Sequence, residues 1–379
     1  MSSLKRSRRI RWAAPVVILA VIGLLAFIPT ISAGADTPNL PSLTAQQLLE
    51  KAQAARTADL PGLSGTVQLT ANLGIPSLGG LTGSTGGDGA FNPTDLLSGA
   101  HSADVWVSKD GFKATYSDSS ISEDDVIANA NTHELWTWQS RGTKVTHVVR
   151  SNAAAPDEQA PSPEAASPVK TPDQVAQSML DALTPSTDVS VSTPAYVANR
   201  AAYELTLAPA AGSTAATDST VHHIAVAVDD ATGLPIRVQI FAKGQAQGQS
   251  VLAFDFGFTN LNIAAQDPSM FTFSPPSGAT VTTKTVGSSG QSAASAAPAG
   301  PDPSSKPTIV GQDWSTVYVF HQAQTPASIT GPMFQAAKVQ PDGTRVLSTA
   351  LVNVLFLNNG DVAVGAVSVG RLQHAVSGG

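Results

Sequence analysis

The sequence predicts a mainly β protein of the α+β kind, and three observations carry that prediction. Short runs of alternating apolar and polar residues recur along most of the chain, the pattern of half-buried antiparallel strands. Turn-forming Gly, Asn, Asp and Pro residues separate these runs. Only two segments show helical periodicity. The 31 Gly and 26 Pro of the 379 residues gather in a few stretches that read as linkers and long loops.

Composition narrows the functional classes. Apolar residues make up 42% and charged residues 13%, so the chain can build a core beneath a Ser/Thr/Gln-rich surface. There is no cysteine, which removes disulfides, thiolate metal sites, a Cys nucleophile and a lipidated Cys. The net charge of −7 hides an asymmetry. Residues 1–35 carry five basic residues and no acid, leaving 16 basic and 28 acidic residues beyond them, a balance of −12. Such a body repels phosphates, which argues against nucleic acid and anionic membrane surfaces as partners.

The chain begins with the basic stretch Met1–Arg11, an apolar run over Ala13–Ile28, and the small residues Ala33-Gly34-Ala35. This three-part pattern marks export, with residues 1–35 as a signal peptide or a retained anchor. The main body is therefore expected outside the cytoplasmic membrane, whether secreted, periplasmic or anchored.

Leu43–Asp59 is predicted helical, with Thr44 and Gln47 forming a capping box. Ala45, Leu48, Leu49, Ala52 and Ala55 supply its apolar stripe. Gly65–Ala71 then alternates as a strand. Gly74–Gly99, rich in Gly, Ser and Leu, reads as a long inserted loop, either disordered or an apolar flap. From His101 a meander follows: Ala103–Ser108, Phe112–Ser117, Val126–Asn129, Glu134–Gln139 and Val145–Arg150. Ser151–Lys170 is an Ala/Pro/Ser/Glu linker. Thr171–Leu183 carries the second helical pattern, capped by Thr171 and Gln174 with Pro172 at the first position.

Val189–Val197 and Tyr203–Leu207 read as further strands. Three more follow in Val221–Gly278, the last with Phe254, Phe256 and Phe258 alternating on one face. Thr285–Pro307 is a second linker. Beyond it, Thr316–Phe320, Leu347–Leu357 and Val362–Val369 are apolar β-branched runs, the last two joined at Asn358-Asn359-Gly360-Asp361, a hairpin signal.

No stretch carries the spacing of an established reaction. His133-Glu134 lacks the second His of the helical zinc motif. Glu123-Asp124-Asp125 lacks the alternating ligands of a calcium loop and reads as a solvated turn. His222 and His223 are neighbours in a strand, so they point to opposite faces and share no ion unless a bulge intervenes. Gly62-Leu63-Ser64-Gly65 is no nucleophile elbow, and phosphate-binding glycine fingerprints are absent. The aromatic faces remain, either as plain core or as the wall of a cavity. An apolar cavity suits an acyl chain, because burial contributes roughly 25 cal/mol per Å2 without directional contacts.

The order of these elements resembles the LolA-like superfamily, which includes outer-membrane lipoprotein carriers, lipid-binding lipoproteins and RseB/MucB-type regulators. The residues that carry the resemblance are the hairpin Asp229-x-x-x-Gly233-Leu234-Pro235 and the closing segment Phe271-x-Phe273-x-Pro275-Pro276-x-Gly278-Ala279. It covers about residues 43–284. It implies an incomplete antiparallel β-barrel whose apolar side is lidded by helices and binds acyl chains.

The expected organisation is a half-barrel over 36–284 with inserted loops 74–99 and 151–170, a Ser/Ala/Pro linker over 285–308, and a C-terminal β segment over 309–379. The expected function is non-enzymatic: an exported lipid- or lipoprotein-binding protein without metal or cofactor. The cavity candidates are Val67, Leu69, Trp106, Trp136, Trp138, Phe254, Phe256 and Phe258. The alternative is an envelope regulator that grips the extracytoplasmic segment of an anti-sigma-type membrane protein.

Overall fold

The computed structural model describes residues 37–55, 60–74, 98–118, 122–150, 186–244, 246, 248–286, 307–321 and 334–377. Residues 1–35, most of the loop expected over 74–99, the linker expected over 151–170, most of the second linker and the helix expected over 171–183 lie outside the described residues. No helix among the described residues is long and apolar enough to cross a membrane.

Helix α1 spans Ala45–Ala55. Twelve strands follow: β1 Leu63–Asn72, β2 Ser98–Ser108, β3 Gly111–Asp118, β4 Ser122–Asn129, β5 Glu134–Gln139, β6 Lys144–Arg150, β7 Thr187–Val197, β8 Arg200–Pro209, β9 Val221–Asp229, β10 Pro235–Lys243, β11 Ser250–Asn262 and β12 Thr280–Val286. A short helix, α2 (Thr214–Asp218), precedes β9. These strands form one sheet in the order β12-β6-β5-β4-β3-β2-β1-β11-β10-β9-β8-β7. The sheet has two ends and does not close into a barrel. Every pair is antiparallel except β12 with β6. That strand is a departure from the sequence reading, which ran a linker from Thr285.

The second sheet runs β13 (Thr308–Val310), β14 (Val317–Phe320), β18 (Val362–Gly365), β17 (Asn353–Phe356), β16 (Arg345–Ser348) and β15 (Lys338–Val339). A single turn of helix, α3 (Phe334–Ala336), precedes β15, and α4 (Val369–Val376) ends the described chain. Two expectations are corrected here. Leu347–Leu357 is two strands, because Thr349 turns the chain: its Oγ1 accepts from Val352 N at 2.8 Å and donates to Val352 O at 2.8 Å. Val362–Val369 ends as a helix start, because the Ser368 side chain caps Arg371 N and supplies the orphan donor with a partner.

Local chemistry explains the elements that were foreseen. In α1, Thr44 N donates to Gln47 Oε1 at 2.9 Å and Gln47 N donates to Thr44 Oγ1 at 3.2 Å, the reciprocal capping pair. The hairpin between β9 and β10 is held by Asp229. Its carboxylate accepts from Thr232 N at 2.9 Å and Thr232 Oγ1 at 2.6 Å, and from Arg200 through Nε at 2.7 Å and a second guanidinium nitrogen at 2.8 Å. Burial alone would raise the Asp229 carboxyl, but the bonds from Arg200 and Thr232 outweigh it and hold the group below its ordinary range.

The C-terminal unit is attached to the large sheet at several points. Ser219 bridges Val367, Thr220 N donates to Ala366 O at 3.0 Å, and Ser368 N donates to Asp218 O at 2.7 Å. Ala350 N donates to Leu73 O at 2.7 Å, and Trp314 Nε1 donates to Thr187 Oγ1 at 2.9 Å.

Candidate functional site

Strand register assigns each side chain to one of two faces of the large sheet. On the inner face, Val67 sits opposite Phe258, Leu69 opposite Phe256 and Ala71 opposite Phe254. The same row continues across β10, where Phe256 faces Val238 and Phe254 faces Ile240. Val226 and Ile224 of β9 and Leu205 and Leu207 of β8 extend it. Alternation over five neighbouring strands thus yields one continuous apolar wall.

This wall is roofed. Leu48 and Ala52 of α1 are fully buried against it, and so is Leu351 from the turn between β16 and β17. Val352, Val354, Phe356, Val362 and Val364 join the same apolar cluster. Phe254, Phe256 and Phe258 are 1%, 1% and 3% exposed. The expected helical lid is therefore one described helix together with a face of the second sheet.

The tryptophans lie elsewhere. Trp106 pairs with Ser64 and Lys113, Lys113 with Ile127, and Ile127 with Trp136, so Trp106 and Trp136 share one cross-strand row. That row belongs to the face opposite Leu63, Val105 and Ala114. Trp138 sits one row along, between Asp125 and Val145. Of the eight candidates, Val67, Leu69, Phe254, Phe256 and Phe258 come together on the inner wall. Trp106, Trp136 and Trp138 stand on the outer face and do not line the same space. The physical reason is strand parity: a shared period of two says that residues share a face, never which face two separate strands present together.

On the outer face Trp136 pairs across the strands with Ile127 and Trp138 with Val145. Ile127, Val145 and Phe271 are buried there. Trp136 stacks on His147 at 3.6 Å, with Phe273 at 5.5 Å, and Lys113 Nζ lies 5.6 Å above Trp106. His147 Nε2 is 3.3 Å from Glu134 Oε1 but lacks the alignment of a hydrogen bond. The closing segment crosses this face: Phe271 lies where a Cβ on Gly111 would come within 2.7 Å, and its carbonyl accepts from Asn129 Nδ2 at 3.2 Å. Asp125 is corrected from a solvated turn to a buried strand residue, bonded by Thr115 Oγ1 at 2.6 Å.

Further along the outer face, Arg237 donates through both arms of its guanidinium to Asp255, and Gln239 Nε2 adds a bond of 2.7 Å. Asp255 is 2% exposed, and this triple bonding satisfies it. Burial pushes the nearby Glu204 carboxyl up, against the pull of Ser192 and Arg237.

His222 and His223 provide the clearest surprise. The register passes from Phe241↔His223 to Ala242↔Val221, so His222 is an extra residue in β9, and the pair sits on a bulge. Both rings consequently point to the outer side, with Nδ1 atoms 2.8 Å apart. The apolar spacing Val221–Ile224, three residues where a regular strand would have two or four, was the legible sign. Among the described residues no group of three His, Cys, Asp or Glu is placed to hold a metal ion.

No protein-family model and no curated protein sequence matches the chain. Solved structures do. The complex of Pseudomonas aeruginosa MucA/MucB is similar at 15% identity, over 87% of this chain and 96% of that one, with a TM-score of 0.40. A LolA superfamily protein from Nitrosomonas europaea is similar at 11% identity, over 61% of this chain and 99% of that one, with a TM-score of 0.22. A putative outer membrane lipoprotein-sorting protein domain from Vibrio parahaemolyticus follows at 11% identity, 60% and 97% coverage, and a TM-score of 0.23. The likeness is one of fold.

Proposed function

We propose that this chain is an exported, non-enzymatic binding protein that holds an acyl chain, of a lipid or a lipid-modified protein, against its inner wall. The observation that supports the reading is the make-up of the roof. The wall of Phe254, Phe256, Phe258, Val67 and Leu69 is covered by α1 and by the Leu351 turn, which come from the two ends of the described chain. The two covers are separate from the strand pairing of the large sheet, and lifting either exposes apolar surface, on the Leu351 side after release of the bond from Ala350 N to Leu73 O. An acyl chain would regain about 0.8 kcal/mol per buried CH2.

Native mass spectrometry of the protein purified from its own host tests this. A co-purifying lipid, together with uptake of a fluorescent fatty acid that strengthens in Leu351→Ala, supports the reading. No lipid and no uptake by either protein would sink it.

A second reading is that of a regulator gripping an extended segment of an anti-sigma-type membrane protein. It is favoured by β7, which ends the large sheet over eleven residues and leaves Tyr196 49% exposed. Such an edge accepts an added strand. Crosslinking from membranes that captures one dominant partner, with crosslinks mapping to β7, would favour it over the lipid reading.

A further inference from the structure

We propose that His222 and His223 form a binding site for a divalent copper ion, with the two Nδ1 atoms as adjacent ligands. The site stands apart from the inner wall and independent of any acyl ligand.

The bulge makes the pair possible. Val221 and Ile224 point inward and are buried, and the extra residue between them turns both imidazoles outward, where the rings meet at 76° with centroids 5.0 Å apart. His223 is held in place by Phe241, stacked on it at 4.2 Å and 8°. A ring fixed on an aromatic face loses little freedom on binding.

The spacing, which is that of the hydrogen bond between the rings, also fits a chelate. Metal–imidazole bonds of about 2.0–2.1 Å place two ligands at a right angle roughly 2.9 Å apart. The observed separation is 2.8 Å. Right-angled nitrogen pairs belong to tetragonal ions such as Cu(II) and Ni(II), and copper stands highest in affinity for nitrogen sites. Both rings are half-buried, which leaves an open side for water to complete the coordination. In the metal-free protein the two nitrogens face each other through one shared hydrogen, so one ring donates and the other accepts. Both lone pairs are presented once the donating ring moves its proton from Nδ1 to Nε2.

The test is titration of the full chain with Cu2+ against a competing chelator, followed by electron paramagnetic resonance. The expected result is one copper per chain with a tetragonal signal and hyperfine splitting from two nitrogens. His222→Ala and His223→Ala should each weaken binding by about tenfold or more, whereas His133→Ala, at an exposed turn, should change nothing. Circular dichroism checks each variant, and His222→Ala carries the test alone should His223→Ala fail to fold. Unchanged affinity and spectrum in a folded His222→Ala protein, or copper bound without nitrogen splitting, would overturn the proposal.

Discussion

Gly233 lies against the end of α1 so closely that a Cβ there would come within 2.6 Å of the Lys51 carbonyl oxygen. Its φ of +75° is itself a conformation reserved for glycine. The Asp-x-x-x-Gly-Leu-Pro hairpin therefore docks the helix as well as reversing the chain, and Lys51 Nζ reaches back to Asp230 at 2.8 Å. Gly233→Ala is expected to combine backbone strain with displacement of α1, at about 2–3 kcal/mol. Urea unfolding measures it. Lys51→Ala, which retains the carbonyl and loses a half-exposed ion pair, should cost less than about 1 kcal/mol.

Asp229 governs the acid response of the same hairpin. Its folded pKa lies below the ordinary value of about 3.9, so its stabilisation is complete above that pH. It is lost as pH falls through the folded value. Asp229→Asn should flatten the decline of the urea midpoint in that acid window. Arg200→Ala leaves a carboxylate 1% exposed with only Thr232, and should cost about 3 kcal/mol at neutral pH.

The two aromatic sets should separate in mutational cost. Phe256→Ala opens a cavity in the inner wall and is expected to lose about 3–5 kcal/mol. Trp136→Ala removes a stacked, half-exposed ring from the outer face and should lose about 1–2 kcal/mol. Chemical denaturation of both variants checks the ranking. Equal losses would contradict the assignment of the two faces.

Gly257 is required by its neighbour across the strands. A Cβ there would meet Arg237 Cγ at 2.7 Å, because the arginine stem lies flat over the glycine on its way to Asp255. Gly257→Ala should displace Arg237 and leave the buried carboxylate short of its main partner, at about 3 kcal/mol. Combining it with Asp255→Asn should recover part of that loss, a coupling that a double-mutant cycle reads directly.

Much of the architecture was legible because it rests on local chemistry. The Thr44/Gln47 cap, the Lys109–Gly111 and Asn358–Asp361 turns, and the alternation of Gly65–Ala71 all act within a few residues. Where a side chain redirected the backbone, the pattern misled. Thr349 split an apolar run, Ser368 started a helix in a Val-rich stretch, and the Glu123–Asp125 acids belonged to a strand because Thr115 and Lys113 lie beside Asp125.

The sequence by itself determined that this chain forms alternating antiparallel strands with Phe254, Phe256 and Phe258 on one face, since parity along a strand follows from its period. Only the tertiary structure decided that this face meets α1 and Leu351 while Trp106, Trp136 and Trp138 look the other way. Pairing between distant strands is chosen by register, which no single strand carries. The same holds for His222 and His223: their adjacency was written in the chain, but the extra residue that swings both to one side exists only against β10.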